Sequence, residues 1–354
     1  MGAGGAAGLA LLSRSSFLNA TRTKRQQMGT DLMKQVTFGK TGVKVSHLCL
    51  GTMMFGRRAD EAEAGRIISA ALNAGVNFID TAAMYGEGAA EEVLGRILKP
   101  VRKKVFLATK VHRGIDAEAI TGSIEESLRR LQTDFVDLYM IHWPKKGMRP
   151  MEVMKALNDV VKSGKARFVG CCNYPAWLFC HSNAIAAASG WPELVCNQVP
   201  YNPIERGVEV EVLPQALAEG SAITVYRTLL IGLLAGKYHP GRPIPKDSRG
   251  ETDERIATWL ERYTNGMRCL LDLAARRNVS PAHVAIAWVS SCPAVTCPIV
   301  GASRLDQLED SLKASDFELT AEERDGISRA FGAEVKEESG GAYAELRREL
   351  YLTS

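Results

Sequence analysis

The sequence predicts an α/β fold, a (β/α)8 TIM barrel with an N-terminal β-hairpin and a long loop after strand 7. Short β-branched or apolar runs recur at 45–50, 76–80, 105–110, 135–141, 167–172, 194–199, 222–226 and 295–300. Helical patterns fill the intervals, at 60–74, 89–99, 116–131, 150–163, 175–188, 207–219, 266–290 and 304–314. Eight alternations of this kind imply parallel strands joined by crossover helices, and eight βα units is the count of this barrel. A doubly wound sheet is the alternative, but it uses about five or six strands.

Taken in order, residues 1–30 hold Arg14, Arg22, Lys24 and Arg25 and no acid, and read as an unstructured extension ahead of a start at Met28, with a transit peptide or a twin-arginine-like signal at 13–19 as the alternatives. The apolar run from Gly2 to Leu12 has no charged segment before it, so a secretory signal is not expected. Residues 35–45 read as a hairpin with Gly39 and Gly42 in its turn. Asp60-Glu-Ala-Glu63 opens the first helix with acids near the positive end of the dipole. Thr320-Ala-Glu-Glu323 is a capping box that opens a late helix over 320–331. Two segments break the rhythm. Residues 237–263 are rich in Pro, Gly and charge and follow strand seven, so they form a candidate lid over the active face. Residues 336–354 read as a polar C-terminal extension, which leaves one barrel domain over 31–335.

Composition narrows the function. The chain of 354 residues is 46% apolar and 24% charged, with 44 basic and 40 acidic residues. The four bases of the extension account for the net charge of +4, so the body is neutral. Neutrality argues against a nucleic-acid or anionic-membrane partner. No apolar run reaches the roughly 18–20 residues that cross a bilayer. The eight cysteines form no C-x-x-C pair and sit mostly in apolar runs. That pattern fits buried reduced thiols in a reducing compartment, the cytoplasm, and no metal site.

Four polar groups lie where strands two, three and four end: Asp80, Tyr85 five residues later, Lys110 and His142. Ionisable groups beside apolar strands are costly unless paired, and all four belong to the same rim. A phenol is a weak proton donor near neutrality, and a neighbouring ammonium favours the phenolate and lowers its pKa. A carboxylate keeps that ammonium charged. A histidine supplies a hydrogen bond to a reacting oxygen. The set suits protonation of a carbonyl oxygen as hydride arrives at carbon, and no side chain donates hydride, so a nicotinamide cofactor is implied.

These residues lie in stretches that resemble the aldo-keto reductase family. Among them are Leu50-Gly-Thr-Met-Met-Phe-Gly56, Phe78-Ile-Asp-Thr-Ala-Ala-Met-Tyr-Gly86, Thr109-Lys110, Asp137-Leu-Tyr-Met-Ile-His-Trp143, Val169-Gly-Cys-Cys-Asn173 and Pro298-Ile-Val-Gly-Ala-Ser-Arg304, within a resemblance over residues 34–331. The resemblance implies a barrel that binds NADPH, with NADH as the less usual choice, and reduces a small-molecule aldehyde or ketone. It makes Tyr85 the general acid, tuned by Lys110 and Asp80, with His142 orienting the carbonyl. It puts Asn173 and Gln198 on the carboxamide, Tyr226 on the nicotinamide ring, and Gly51, Thr52 and Met53 at its ribose. It gives Leu229, Lys237 and Arg249 to the pyrophosphate. Gly301, Ser303, Arg304 and Gln307 take the adenosine 2′-phosphate end, with Asp310 and Ser311 near the adenine. A strand running into a helix there agrees with phosphate binding at helix N-termini. Met54, Phe55, Trp143 and Tyr201, with Tyr85, would line an apolar substrate pocket.

Three positions depart from the family pattern. Cys172 stands for a serine beside the cofactor, Arg227 for a serine at the pyrophosphate, and Ser311 for an asparagine at the adenine. Gly86-Glu-Gly88 is no dinucleotide fingerprint, since Glu91 occupies the third glycine position. Two other readings compete with a carbonyl reductase. One is an NADP(H)-binding regulatory subunit with little turnover. The other is a barrel lyase or isomerase in which Lys110 forms a Schiff base.

Overall fold

A computed structural model describes residues 33–111 and 114–332. The extensions expected over 1–30 and 336–354 lie outside the described residues. Strands β1 (Gln35–Thr37) and β2 (Lys44–Ser46) form an antiparallel hairpin. Its turn contains a 3-10 segment, Gly39–Thr41, and a left-handed Gly42 with φ 73°.

Eight parallel strands then close a barrel in the order β10-β3-β4-β5-β6-β7-β8-β9. They are β3 (Cys49–Gly51), β4 (Phe78–Asp80), β5 (Phe106–Lys110), β6 (Val136–Ile141), β7 (Ala166–Cys172), β8 (Leu194–Pro200), β9 (Ala222–Tyr226) and β10 (Cys297–Gly301). The run read as one strand over 45–50 is split between β2 and β3. Its chain turns where the Ser46 hydroxyl donates to the Leu48 carbonyl at 2.7 Å and Asn77 Oδ1 accepts the Ser46 N–H at 2.7 Å.

The hairpin closes the N-terminal end of the barrel. Phe38 packs its ring 5.5 Å from Phe78 and 5.1 Å from Phe106. Gly39, at φ 51°, lies so close that a Cβ there would come within 2.8 Å of the Ala222 nitrogen. Phe78, Phe106, Leu138, Cys196 and Cys297 continue this apolar filling up the interior. With the interior so filled, active sites in barrels of this kind lie at the C-terminal rim.

Helices ring the barrel: α1 (Glu61–Asn73), α2 (Ala89–Leu98), α3 (Ala117–Leu131), α4 (Pro150–Lys162), α5 (Ala176–Ser189) and α6 (Val212–Glu219). After β9 come α7 (Arg255–Arg262), α8 (Thr264–Arg277), α9 (Pro281–Ser290), α10 (Leu305–Lys313) and α11 (Ala321–Gly332). Asp60 caps α1, its Oδ1 accepting the Glu63 N–H at 2.8 Å. The capping box opens α11 with reciprocal bonds of 2.9 and 3.2 Å between Thr320 and Glu323.

Two helices differ from the sequence reading. The stretch 266–290 is two helices, because Asn278 turns left-handed at φ 52° and Ser280 with Pro281 starts the next. The stretch 207–219 begins as a 3-10 turn, Gly207–Glu209, before α6. Within the segment 237–263, α7 anchors Ile256 and Leu260 in the core. No described helix is long and apolar enough to cross a membrane. Six of the eight cysteines are buried and all eight are free.

Candidate active site

The strand register brings four polar side chains to one rim. Asp80 closes β4 opposite Gly51 and Ala108, and Lys110 closes β5 opposite Met140. His142 follows the last residue of β6. Tyr85 begins a 3-10 turn in which Gly86, Glu87 and Gly88 have φ of 59°, 55° and 99°. Beneath that turn lies the wholly buried Glu91, which accepts the Thr109 hydroxyl at 2.6 Å and Arg130 Nε at 2.7 Å. A Cβ on Gly88 would come within 2.7 Å of Arg130, so only glycine admits this guanidinium.

Lys110 Nζ donates to Asp80 Oδ1 at 2.8 Å, Asp80 Oδ2 at 2.7 Å and the Thr81 carbonyl at 2.8 Å. Three oxygens thus surround the ammonium. Gln198 Nε2 adds a bond to Asp80 Oδ1 at 2.9 Å. The ammonium lies 5.2 Å from the centre of the Tyr85 ring. The Tyr85 and His142 rings meet edge to face, 6.1 Å apart. Burial works to discharge Lys110, but the Asp80 carboxylate prevails and the amine is held above its ordinary range. Tyr85 corrects the sequence expectation. Burial outweighs the pull of Lys110, and the phenol is pushed up to about 12. It therefore stays protonated at neutral pH.

A second network surrounds this pair. Tyr226 donates its hydroxyl to Asn173 Oδ1 at 2.8 Å, Asn173 Nδ2 donates to the His142 carbonyl at 3.3 Å, and the Asn173 N–H donates to the Gln198 carbonyl at 2.9 Å. Asn173 holds a left-handed φ of 61° to do so. The Thr52 hydroxyl bonds the Asp80 carbonyl at 3.0 Å. Gly51 pairs with Gly301 across the β3–β10 ladder. Cys172 is buried, its thiol 4.0 Å from Met140 Sδ. Trp143 stacks on His142 at 6.0 Å, Met54 is half-buried and Met53 is exposed. Phe55 and Tyr201 depart from the expected pocket. Phe55 is enclosed between strands and helices, and Tyr201 packs 5.0 Å from Trp288 with its hydroxyl on Glu209 at 2.7 Å. Neither offers surface to a ligand.

Beyond β9 the backbone is strained. Arg227, Leu230 and Ile231 have φ of 59°, 44° and 51°, which for the β-branched Ile231 is an outlier. Leu229 is half-buried beside them. Arg227 Nε lies 3.0 Å from Glu205 Oε2, and the guanidinium lies 5.7 Å from the Trp259 ring centre. Its charge is thus turned onto a buried carboxylate. Arg249 faces Asp253 at 3.7 Å in the field of Arg58, Arg255 and Arg227. A Cβ on Gly232 would meet Lys237 Nζ at 3.3 Å, so the glycine makes room for that ammonium.

After β10, the Ser303 N–H and hydroxyl both donate to Gln307 Oε1, at 3.0 and 3.2 Å. Arg304 makes bonds of 3.0 and 2.9 Å to Asp306. The Ser311 hydroxyl turns back to the Gln307 carbonyl at 2.9 Å. Asp310 is held by Ser280 at 2.7 Å and His283 at 3.0 Å. Hydroxyl, amide and guanidinium donors here, with the cations after β9, fit a phosphate-bearing dinucleotide in chemistry. The contacts of Thr81 and Glu205 had no sequence signal, since a backbone carbonyl and an ordinary glutamate carry none. A cavity of about 420 Å3 lies at the N-terminal ends of β5 and β6, lined in part by Leu98, Arg102, Lys104 and Phe135. It contains none of the four rim residues.

Known proteins resemble the chain in sequence. The chain is 34% identical over 310 residues to an uncharacterized oxidoreductase, YrpG, of Bacillus subtilis (strain 168), covering 82% of this chain and 93% of that protein. It is 31% identical over 331 residues to versiconal hemiacetal acetate reductase of Aspergillus parasiticus, covering 82% and 95%. It is 32% identical over 309 residues to a probable voltage-gated potassium channel subunit beta of Arabidopsis thaliana, covering 80% and 92%. The description "Aldo/keto reductase family" belongs to the family model that matches residues 47–330. With its barrel and the sequence of its rim, the chain belongs to the aldo/keto reductase family of oxidoreductases.

Proposed function

We propose that the chain is an NADP(H)-dependent carbonyl reductase, with Tyr85 as the general acid that converts an aldehyde or ketone to an alcohol. The observation that carries this reading is the Tyr85 ring beside a wholly enclosed Lys110–Asp80 pair, 5.2 Å from the ammonium. Bound at the rim, the nicotinamide would supply the hydride. Tyr85 arrives with its proton in place, because burial holds the phenol neutral. A developing alkoxide is more basic than a phenolate, so the proton passes from the Tyr85 hydroxyl to the carbonyl oxygen. Lys110, kept charged by Asp80, stabilises the phenolate left behind. His142, edge-on to Tyr85, orients the same oxygen. Asn173, Gln198 and Tyr226 would hold the nicotinamide. Gly51, Thr52 and Met53 would meet its ribose. Lys237, Arg249 and Leu229 would meet the pyrophosphate. Ser303, Arg304 and Gln307 would meet the 2′-phosphate. Met54 and Trp143 remain to line the substrate side. Eight free thiols suit a reducing compartment such as the cytoplasm.

The Schiff-base reading is weaker. An amine whose charge is locked by Asp80 is a poor nucleophile. Likeness to a potassium channel subunit supports the regulatory reading as the second choice. One experiment separates them. Tyr85→Phe is expected to lower carbonyl turnover at least about a hundredfold while nicotinamide fluorescence still reports NADPH binding. Near-normal turnover in the variant would refute the general-acid role. Tight NADPH binding with no turnover of any carbonyl by the unaltered chain would favour the regulatory reading.

A further inference from the structure

We propose that Glu63 is a specificity-determining residue that narrows the gap between the phosphorylated and unphosphorylated dinucleotides. The proposal rests on reading Ser303, Arg304 and Gln307 as the 2′-phosphate end. Glu63 lies in the first turn of α1, yet its Oε1 accepts the backbone N–H of Leu305 at 2.6 Å. Leu305 is the first residue of α10. Glu63 Oε2 accepts Arg66 Nε at 2.8 Å. A carboxylate from another helix thus occupies an amide at the positive end of α10, where a phosphate gains most. The same carboxylate acts on Arg304, whose guanidinium it helps keep charged alongside Asp306.

The two acids at this end differ in freedom. Asp306 has 67% of its side chain exposed and can release Arg304 to a ligand. Glu63 has 16% exposed and is tied through both oxygens. A fixed carboxylate opposes a phosphate dianion but accepts hydrogen bonds from a ribose diol. Selectivity is a difference of two affinities, and Glu63 acts on both with opposite signs.

Equilibrium fluorescence titration with NADPH and NADH, without carbonyl present, tests this on the unaltered chain and on Glu63→Gln, Glu63→Ala and Arg304→Ala. Glutamine keeps an acceptor for the Leu305 N–H, removes the charge and gives up the bond from Arg66. Both Glu63 variants are expected to raise the NADPH-to-NADH affinity ratio about fivefold or more. Alanine provides the same test should the glutamine variant fold poorly. A ratio that stays at the unaltered value in the Glu63 variants, while Arg304→Ala lowers it, overturns the role of Glu63 alone. A ratio that Arg304→Ala leaves unchanged overturns the reading of this end, and the proposal with it.

Discussion

Lys110 reaches both carboxylate oxygens of Asp80, at 2.8 and 2.7 Å, with neither residue more than 2% open to solvent. A buried ion pair of this kind contributes little net stability, since desolvation offsets most of the attraction. Hydrophobic residues of similar volume would serve the fold as well. On the proposed reading, the pair serves the Tyr85 phenolate that proton transfer would leave behind.

Breaking the pair from one side leaves an unpaired charge. Asp80→Asn is expected to destabilise the protein by about 3–5 kcal/mol in denaturant unfolding. It is also expected to lower turnover more than it lowers cofactor affinity. A loss below about 1 kcal/mol would mean that Lys110 had found another partner or escaped to water.

Alkaline pH reads out Tyr85. Its folded-state pKa is pushed up to about 12, above the ordinary value of 10.0. Between these values the unfolded chain releases a proton that the folded chain keeps. The stabilisation is therefore complete below pH about 10 and is lost as pH rises through about 12. Lys110 is shifted in the same direction and adds to the fall. In ultraviolet titration Tyr85→Phe should lack one late-ionising phenol relative to the unaltered chain. Loss of an ordinary phenol, titrating near 10, would contradict the upward shift of Tyr85.

Arg227 and Glu205 form a further ion pair near the rim, with the carboxylate buried. Arg227→Ser restores the residue usual in the family and strands Glu205, whose carboxyl burial already pushes up. The expected cost is about 3 kcal/mol at neutral pH. That deficit should shrink as pH falls, because a protonated Glu205 needs no cation. A deficit that does not change with pH would show that Glu205 is not the group left behind.

Gly95 on α2 tests the packing beneath the site. A Cβ there would come within 2.3 Å of the Arg130 carbonyl oxygen and 2.8 Å of the Leu131 carbonyl carbon. Helix propensity alone favours Gly→Ala by about 1 kcal/mol. The clash is with backbone that cannot swing aside, and overpacking costs about 1–3 kcal/mol. Gly95→Ala is therefore expected to lower the unfolding midpoint, and a rise would mean that α2 and α3 separate freely.

The barrel was legible in the sequence because its signal is local. Each strand is a short apolar run, and each helix announces itself by periodicity or by a cap such as Asp60 or Thr320. Asp80, Lys110 and His142 were legible for the same reason, since each stands where such a run ends. Parallel strands in a closed barrel end on one rim, so reading the ends picks out the candidate site.

Tertiary packing decided what depends on distance and dielectric. Tyr85 sits beside an ammonium, as its neighbours imply, but the loss of solvent around its partly buried ring outweighs that charge and reverses the expected shift. Phe55 and Tyr201 are aromatic residues near strand ends that packing assigns to the core. Arg227 turns to Glu205, and Glu63 reaches an amide 242 residues away. Sequence patterns carry nearest-neighbour preferences along the chain, whereas these partners and their solvation exist only once the barrel has closed.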